Sequence, residues 1–501
     1  MLELAGKGED AGDETTAGLG FGASFLSHAA LKALTAHTPS RPTMRAVFFI
    51  ALPRRARLYP IFDSEVGSAR LVEEAQHGSW SRARSLLAGS AGNLVEWYDW
   101  YVYSAFSLYF APIFFPSGER NAELLGAAAV FAVGFLMRPI GAWLMGVYAD
   151  RHGRKAALTL SVLLMCAGSM TIACTPGHAR IGIASPAILV LARLLQGLSV
   201  GGEYGASATY LSEVAERSRR GFWSSLQYVT LIAGQLLALS VLIILQAVLS
   251  RSDLEAWGWR IPFALGGFLS VGVFWLRRGL IETTAFTTMK VKGAAARSSA
   301  LRLVREYPRE TAMVLGLTAG GTLAFYAYTT YMQKFLVNTS GFSKEVATRI
   351  TAGALLVFMV LQPAVGALSD RIGRKPIMIA FGVLGACLTF PILSAIASTR
   401  DPYVAFALVL GALVIVSGYT AINAVVKAEL FPAEIRTLGV ALPYAIANTI
   451  FGGTAEYLAL WFKGRGMERG FYVYVTVAIA VSLVVYVRMR DTKRHSRIAE
   501  D

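Results

Sequence analysis

The chain has 501 residues, of which 55% are hydrophobic and 16% charged, and its net charge at pH 7 is +15. Soluble domains carry about 25% charged residues, so too few charges remain to cover a soluble globule of this size. The positive charge alone would suit nucleic-acid binding, but the Lys and Arg residues lie in short connections between apolar blocks. This distribution is typical of the cytoplasmic loops of membrane proteins and argues against nucleic acid as a partner.

The first 83 residues differ from the rest of the chain, because they are rich in Ala, Gly and charged residues. Their short apolar run, AVFFIALP at 46–53, cannot span a bilayer, and the RRAR that follows does not fit the cleavage site of a signal peptide. We therefore expect 1–83 to be a mostly disordered N-terminal extension. An upstream start codon is a second explanation, because Met44 also precedes the body of the chain.

From residue 84 onward, apolar blocks of roughly 20 residues, the length that crosses a bilayer as a helix, alternate with charged or Gly/Pro-containing breaks. This pattern predicts an all-α polytopic membrane protein with twelve transmembrane helices. The predicted spans are 84–115, 122–149, 156–176, 185–212, 221–249, 257–276, 311–338, 345–369, 375–397, 402–430, 437–461 and 470–488.

Two similar decapeptides indicate that the chain consists of two related halves. GVYADRHGRK at 146–155 closes the second predicted span, and GALSDRIGRK at 366–375 closes the eighth. A second pair, SEVAERSRRGF and AELFPAEIRTLG, follows the fourth and tenth spans at nearly the same separation. Duplicated halves of this kind are typical of transporters, whose binding site lies where the halves meet.

The longest connection after residue 84 separates six predicted spans from six. With both termini on one side, the connections on that side hold more than twice as many Lys and Arg residues as the others, so both termini are expected in the cytoplasm. The expected domains are an N-terminal six-helix bundle at 84–276, a cytoplasmic connecting loop at 277–310, a C-terminal six-helix bundle at 311–488 and a cytoplasmic tail at 489–501.

The charged residues of the repeated segments are candidates for a gate. In each decapeptide an Asp ends a span and is followed by a glycine turn and three cations. Such a carboxylate can face a helix N-terminus or an arginine of a neighbouring span and hold the bundles in one relative tilt. The alternative is that the cations only fix topology and contact lipid phosphates. The candidate gating residues are Asp150, Arg151, Arg154, Asp370, Arg371, Arg374, Glu213 and Glu429.

The pattern G-x-x-x-D-R-x-G-R-K in both halves is similar to the signature of the major facilitator superfamily. Four further stretches resemble its metabolite:proton symporter family: GNLVEWYDWYVYSAFSLYFAPIFFPSG, FLMRPIGAWLMG, LARLLQGLSVGGEYGASATYLSEVA and WGWRIPFALG. Within that family, YVTLIAGQLLAL, FYAYTTYMQKFLVNTSG and FGGTAEYLAL most closely resemble the carriers of α-ketoglutarate. The resemblance covers about residues 84–490.

This resemblance implies the major facilitator fold, with two six-helix bundles, in a monomer of the bacterial inner membrane. It also implies proton-coupled uptake of a dicarboxylate, α-ketoglutarate first, by alternating access. Relatives that carry citrate, shikimate or proline/betaine share most of these motifs and remain alternatives, and a membrane sensor is a remote one. The sequence has no phosphate-binding Gly-Lys motif and no His/Cys metal cluster. We therefore expect no enzyme, no metal and no cofactor, and as partners a small organic anion, a proton and membrane lipid.

Charged side chains at bilayer depth are costly and usually functional. Arg138 precedes Asp150, the end of its span, by twelve residues, which places it roughly 18 Å from the membrane edge, near the midplane. Glu96 lies at a similar depth in the first span, and Asp99 follows it on the same helix face. Arg193 in the fourth span is expected roughly 12 Å below the opposite edge.

Arginine pairs with carboxylates in bidentate geometry, and a proton coupler needs a carboxyl group whose proton affinity changes with its surroundings. The predicted substrate-binding residues are Arg138, Arg193, Tyr326, Tyr331 and Gln227, and the predicted proton-coupling residues are Glu96, Asp99 and Glu456. The alternatives are permanent ion pairs between helices for the charged groups and ordinary packing for the tyrosines. We expect Lys334 to snorkel near the outer end of its span and the glycine run after Arg193 to serve helix packing.

Overall fold

The computed structural model describes residues 92–152, 154–201, 203–278, 300–432 and 435–498. The predicted extension at 1–83 and most of the predicted connecting loop lie outside the described residues. So do the side chains of four candidate gating residues, Asp150, Arg151, Arg154 and Glu213. Within the described residues every regular element is a helix.

The N-terminal half contains six long helical elements, which we call spans 1 to 6. Span 4 is divided at Gly201 into two helices that continue one another, and short helices connect several of the spans. The bounds are 92–114 for span 1, Arg120–His152 for span 2, Arg154–Cys174 for span 3, Ala184–Val200 with Glu203–Val214 for span 4, Arg220–Val248 for span 5 and Ile261–Arg278 for span 6.

The C-terminal half repeats this arrangement in spans 7 to 12, but three of its spans are interrupted. The bounds are Pro308–Tyr328 with Met332–Asn338 for span 7, Lys344–Ile372 for span 8, Arg374–Ser398 for span 9, Pro402–Thr420 with Asn423–Leu430 for span 10, Arg436–Ala447 with Ala455–Gly464 for span 11 and Glu468–Arg488 for span 12. A π-helical turn, Asn448–Gly452, joins the two parts of span 11.

Nine helices of the described residues are long and apolar enough to cross a membrane, and span 3 holds a shorter apolar stretch, Thr159–Cys174. Spans 1 and 6 complete the twelve helices that the sequence predicts. The large outward-facing apolar side chains of these helices, for example Trp143, Phe268 and Val360, would contact lipid. The prediction of an all-α membrane protein of twelve helices in two bundles is confirmed.

The glycines of span 4 bring its backbone against span 2. A Cβ built at Gly197 would collide with the carbonyl oxygen of Gly134, and one built at Gly201 would collide with that of Arg138. Gly134 in turn leaves room for the ring of Trp100. Close helix approach through small residues is typical of membrane bundles, and here it sets the positions of two buried arginines.

The two halves contact each other on both sides of the membrane. We call the side on which the decapeptides lie the motif side, and the opposite side the far side. On the motif side, the carboxylate of Asp370 on span 8 accepts hydrogen bonds of 2.8 and 2.9 Å from the amides of Gly221 and Phe222 at the start of span 5. On the far side, Lys344 Nζ donates to the carbonyl of Leu108 at 2.8 Å and pairs with Glu255 at 2.8 Å.

Residues 489–498, which we call the terminal strap, pack across the motif side of the C-terminal half. The hydroxyl of Thr492 donates to the carboxylate of Glu429 at 2.6 Å, and the amide of Arg497 donates to the Glu429 carbonyl at 2.9 Å. The carbonyl of Arg497 accepts from Arg436 at 3.0 Å, and Ile498 is buried. The strap therefore belongs to the packed body of the protein.

Candidate functional site

Two buried arginines from spans 2 and 4 face one indole ring. The guanidinium carbon of Arg138 lies 4.2 Å from the ring centroid of Trp100, and that of Arg193 lies 3.9 Å from it. Phe135 and Tyr103 add further aromatic faces, at 3.9 Å from Arg138 and 4.5 Å from Arg193. Aromatic faces attract cations, so this arrangement holds two positive groups inside the membrane without neutralising them.

Both guanidinium groups keep donors that are not used. Arg138 and Arg193 are 3% and 0% exposed, and the Nε and Nη2 atoms of each have no hydrogen-bond partner among the described residues. Buried polar groups are normally hydrogen-bonded, because desolvation without a partner costs free energy. Unused arginine donors of this kind match the oxygen atoms of a carboxylate.

Tyr326 and Asn448 extend this donor set from the C-terminal half. The hydroxyl of Tyr326 on span 7 lies beside the Arg138 guanidinium and the amide of Asn448. Within the part of the chain that the structure describes, neither this hydroxyl nor the Asn448 amide forms a hydrogen bond of good geometry. Asn448 begins the π-helical turn of span 11, and Gly452 closes that turn where a Cβ would meet Tyr326 and Asn448. Turns of this type are frequent at functional sites.

Asp99 is joined to Arg193 through one glutamine. The Asp99 carboxylate is fully buried and accepts hydrogen bonds from the hydroxyl of Ser169 and from Nε2 of Gln196. The Oε1 atom of the same Gln196 accepts from Arg193 Nη1 at 2.6 Å. A proton that binds Asp99 would therefore change the hydrogen bonding of Gln196, and through it the surroundings of Arg193.

Glu96 lines a cavity together with Arg138. The cavity lies between spans 1, 2, 4 and 11, and Trp97, Tyr204 and Tyr444 form other parts of its wall. It is thus enclosed by both halves. The predicted trio of Glu96, Asp99 and Arg138 is split in this structure, since Glu96 shares the cavity with Arg138 while Asp99 belongs to the Arg193 network.

Glu456 forms a buried ion pair on the far side. Its carboxylate lies 2.6 Å from the ammonium group of Lys334, and both residues contact the Ser104 hydroxyl of span 1, at 3.2 and 2.7 Å. The Lys334 side chain is 0% exposed, so the prediction that it snorkels is wrong. Span 7 is interrupted between Tyr328 and Met332, and in the helix that follows the Lys334 ammonium group contacts Glu456 and Ser104 inside the protein instead of reaching the surface.

Two other predicted substrate residues contact groups other than the arginines. The ring of Tyr331 packs against those of Phe335 and Phe471, at 5.9 and 5.8 Å. Gln227 on span 5 accepts a hydrogen bond of 2.6 Å from Ser207 through its side-chain oxygen. The roles proposed for both remain predictions, as does that of Tyr326.

The second decapeptide contacts the start of span 5, and its gating role stays a prediction. Besides the two span 5 amides, Asp370 accepts a hydrogen bond of 2.8 Å from Arg374 Nη1, and Arg374 Nη2 lies 3.6 Å from Glu429. Arg371 is exposed. Three of the candidate gating residues thus form one network that also contacts the N-terminal half, whereas the described side chain of Arg371 does not take part in it.

Several residues of the site were not singled out from the sequence. Trp100, Gln196 and Asn448 were missed, although each has a recognisable signal. Trp100 is part of the WYDW stretch around Asp99, Gln196 follows Arg193 by one helical turn, and Asn448 precedes a double glycine in an apolar span. In the described residues, no group of three His, Cys, Asp or Glu side chains is arranged to hold a metal.

Twelve helices in two halves, with a cavity between the halves that Arg138 and Glu96 line, are typical of a membrane transporter of the alternating-access type. The sequence profile described as "Sugar (and other) transporter" matches residues 85–313 and 296–498. The chain belongs to this family of the major facilitator superfamily. The resemblance found in the sequence motifs is thereby confirmed.

Relatives with established names are transporters. The chain is 55% identical to the alpha-ketoglutarate permease of Escherichia coli strain K12 over 417 residues, which covers 83% of this chain and 96% of the relative. It is 33% identical to the citrate-proton symporter of Klebsiella pneumoniae, with 82% and 93% covered. It is 28% identical to the proline/betaine transporter of Salmonella typhimurium strain LT2, with 88% of each covered.

The fold is shared with solved transporters. The proton:xylose symporter XylE bound to 6-bromo-6-deoxy-D-glucose superposes with a TM-score of 0.67 and 18% identity, over 81% of this chain and 93% of that one. The partially occluded inward-open form of XylE from E. coli gives a TM-score of 0.64 with 19% identity, over 81% and 98%. The family profile and the named sequence relatives confirm the prediction of a transporter rather than an enzyme.

Proposed function

We propose that this protein takes up α-ketoglutarate, or a dicarboxylate of similar size, together with protons. The observation that carries the proposal is the pair of guanidinium groups on Trp100, each with two unused and buried donors. A dicarboxylate offers oxygen atoms in the geometry that arginine prefers. The 55% identity to the α-ketoglutarate permease supports this substrate over other organic acids.

Asp99 is the first candidate for the proton carrier. Protonation would neutralise a buried carboxylate and release Gln196 from it, which would alter the hydrogen bonding of Arg193. Substrate binding at Arg193 would act on Asp99 through the same glutamine, so proton and anion affinities are linked. Glu96 in the cavity wall and Glu456 in the far-side ion pair are further candidates.

Transport proceeds by alternating access of the two bundles, which we place at 84–276 and 311–488. The halves contact each other on both sides of the cavity, so access to either side requires that one set of contacts separates while the other holds. On the motif side that set includes Asp370, and on the far side it includes Lys334 with Glu456 and Ser104. No resident cofactor is needed for this cycle.

We place the protein in the inner membrane of a bacterial cell as a monomer, with the motif side and both termini in the cytoplasm. The excess of Lys and Arg in the connections on the motif side supports this orientation. The small organic anion and the proton then enter from the far side, and lipid surrounds the apolar outer faces of the spans.

Uptake into proteoliposomes tests the proposed function directly. Labelled α-ketoglutarate should accumulate when the far side is acidified, and a protonophore should abolish the accumulation. Competition by citrate, succinate, shikimate, proline and betaine then ranks the substrates. Citrate is the main alternative because of the 33% identical symporter. Stronger competition by citrate or by a zwitterion than by α-ketoglutarate would overturn the substrate that we propose.

Substitution of the arginines tests the binding site in the same assay. Arg193→Gln or Arg138→Gln should lower the apparent affinity for α-ketoglutarate about tenfold to a hundredfold, because charged hydrogen bonds contribute about 1.5–3 kcal/mol each. Arg193→Lys should retain more of the affinity than Arg193→Gln but less than wild type, since an ammonium group lacks the bidentate geometry. Lys463→Gln is a matched control outside the cavity. Wild-type affinity in both Gln variants would contradict the proposed anion site.

A further inference from the structure

A third buried cation lies near the cavity, in the second helix of span 10. Lys427 is 0% exposed, and its ammonium group donates to Asn423 Oδ1 at 2.8 Å and to the hydroxyl of Tyr204 at 3.3 Å. The same group lies over the rings of Tyr444 and Tyr204, 3.9 and 5.3 Å from their centroids. All four contacts are with neutral groups.

No carboxylate in the described parts of the chain pairs with Lys427. Glu429, two residues further on, is instead directed to Arg374 at 3.6 Å and to Thr492 at 2.6 Å. A charged side chain inside a membrane protein is costly and usually pairs with an opposite charge or lines a path for ions. Aromatic faces and neutral oxygen atoms offset only part of that cost. Pairing with an opposite charge therefore does not explain the burial of Lys427, and a position along a path for ions remains as the explanation.

The tyrosines that contact Lys427 also form the wall of the cavity. Tyr204 on span 4 stacks on Tyr444 on span 11 with 3.8 Å between the ring centroids, and both residues line the cavity that Arg138 enters. Lys427 approaches this pair from the motif side, where its helix ends at Leu430. The stacked pair thus separates the arginine cavity from a cation on the motif side.

Opening of the motif side must change this arrangement. Tyr204 belongs to the N-terminal half, whereas Tyr444, Asn423 and Lys427 belong to the C-terminal half. When the halves separate there, Tyr204 leaves Tyr444, and the ammonium group of Lys427 loses its hydrogen bond to the Tyr204 hydroxyl. The lysine then faces the widened cavity with an unused donor.

We propose that Lys427 forms a second anion site, which takes a carboxylate group of the substrate once the Tyr204–Tyr444 pair has separated. This inference rests on the proposed function, because it requires an anionic substrate that crosses the cavity. The arginines bind the substrate while the stacked tyrosines close the motif side, and Lys427 receives it on that side. The site favours anions by its charge, and its use depends on the conformation of the transporter.

The test compares substrate affinity from the two sides of the membrane. Right-side-out and inverted vesicles are prepared with wild-type protein and with Lys427→Met, Lys427→Arg and the control Lys463→Gln. Lys427→Met should raise the half-saturating concentration of α-ketoglutarate on the motif side by about tenfold or more, with a smaller change on the far side. Lys427→Arg should retain most of the affinity, and the control should match wild type.

Thermal stability separates this role from a structural one. Methionine is similar in length and removes a buried charge that no carboxylate neutralises, so Lys427→Met should melt at the wild-type temperature or above it in the absence of substrate. A lower melting temperature with an equal loss of affinity on both sides would assign Lys427 to packing and overturn the inference. Unchanged affinity on the motif side would overturn it as well, whereas wild-type protein that does not carry α-ketoglutarate would overturn the proposed function itself.

Discussion

Trp100 determines how two like charges coexist in the membrane. Its indole ring provides one aromatic surface for both Arg138 and Arg193, while Gln196 is the only described side chain that accepts a hydrogen bond from Arg193. A direct ion pair would have consumed donors that a carboxylate substrate needs. Asp99 is instead separated from Arg193 by the side chain of Gln196, so it can influence Arg193 without forming a direct ion pair with it.

Asp99→Asn should uncouple transport from the proton gradient. An amide resembles the protonated carboxyl group in shape but cannot release or bind a proton, so exchange of α-ketoglutarate should persist while concentrative uptake falls to the background. Counterflow and gradient-driven uptake in the same proteoliposomes measure the two activities. Ser169→Ala is the control, because it removes a hydrogen bond to Asp99 and keeps the carboxylate. Accumulation by Asp99→Asn against a pH gradient would exclude Asp99 as the proton carrier.

At the scale of helices, the site depends on departures from regular geometry. Span 7 is broken after Tyr328, span 10 is broken before Asn423, and span 11 contains the π-helical turn at Asn448. Irregular backbone at membrane depth is tolerated where it lines a cavity. Lys334 and Lys427 lie in the helices that follow the first two breaks, and Asn448 begins the π-helical turn. The N-terminal half instead achieves close packing through the glycines of spans 2 and 4.

Alanine at two glycines should have opposite effects on stability. Gly197→Ala places a Cβ against the Gly134 carbonyl, and overpacking of this kind costs about 1–3 kcal/mol, so the melting temperature should fall. Gly411→Ala meets no atom within 4 Å and should be neutral or stabilising, because Ala is the better helix former by about 1 kcal/mol. Thermal unfolding of both purified variants measures this. Equal melting temperatures would contradict the packing role of Gly197.

At the scale of the whole molecule, one contact between the halves has a defined dependence on pH. Glu255 lies outside the spans, on the short helix Arg251–Ala256, and bridges to Lys344 at the start of span 8. Partial burial favours the protonated form of this carboxyl group. The hydrogen bonds and charges of Lys344 and Arg251 outweigh that effect, so the pKa of Glu255 lies below its usual value. The contact contributes stability above the usual glutamate pKa of about 4.3 and loses it as the pH falls through the lower pKa of the folded protein.

In the wild-type protein Glu255 stays ionised between about pH 5 and 8, so it does not contribute to the pH dependence of uptake in that range. Glu255→Gln should therefore leave the shape of the pH profile unchanged. Its partial exposure limits the effect on stability. Initial uptake rates across this pH range measure the profile. A shift of the profile in this variant would show that the far-side contact takes part in proton coupling, in place of the buried carboxylates.

The sequence predicted those features that depend on local pattern. The number of spans follows from apolar length, and a carboxylate at the end of a span is expected to face a helix N-terminus or an arginine, both of which Asp370 contacts. The pairing of Lys334 with Glu456 could not be predicted in this way, because 122 positions separate them and span 7 is interrupted between Tyr328 and Lys334. The same holds for Asn448, whose orientation depends on a π-helical turn.

The terminal strap has a practical consequence for experiments on this transporter. Residues 489–498 supply hydrogen bonds to Glu429 and Arg436, and Glu429 in turn lies 3.6 Å from the candidate gating residue Arg374. Truncation at Arg488 would remove those hydrogen-bond partners, and a fluorescent reporter or affinity tag joined close to Ile498 would disturb the same hydrogen bonds. Engineered versions therefore require a flexible spacer after the strap, since otherwise the recorded rates would describe a carrier whose motif-side contacts have been altered by the label.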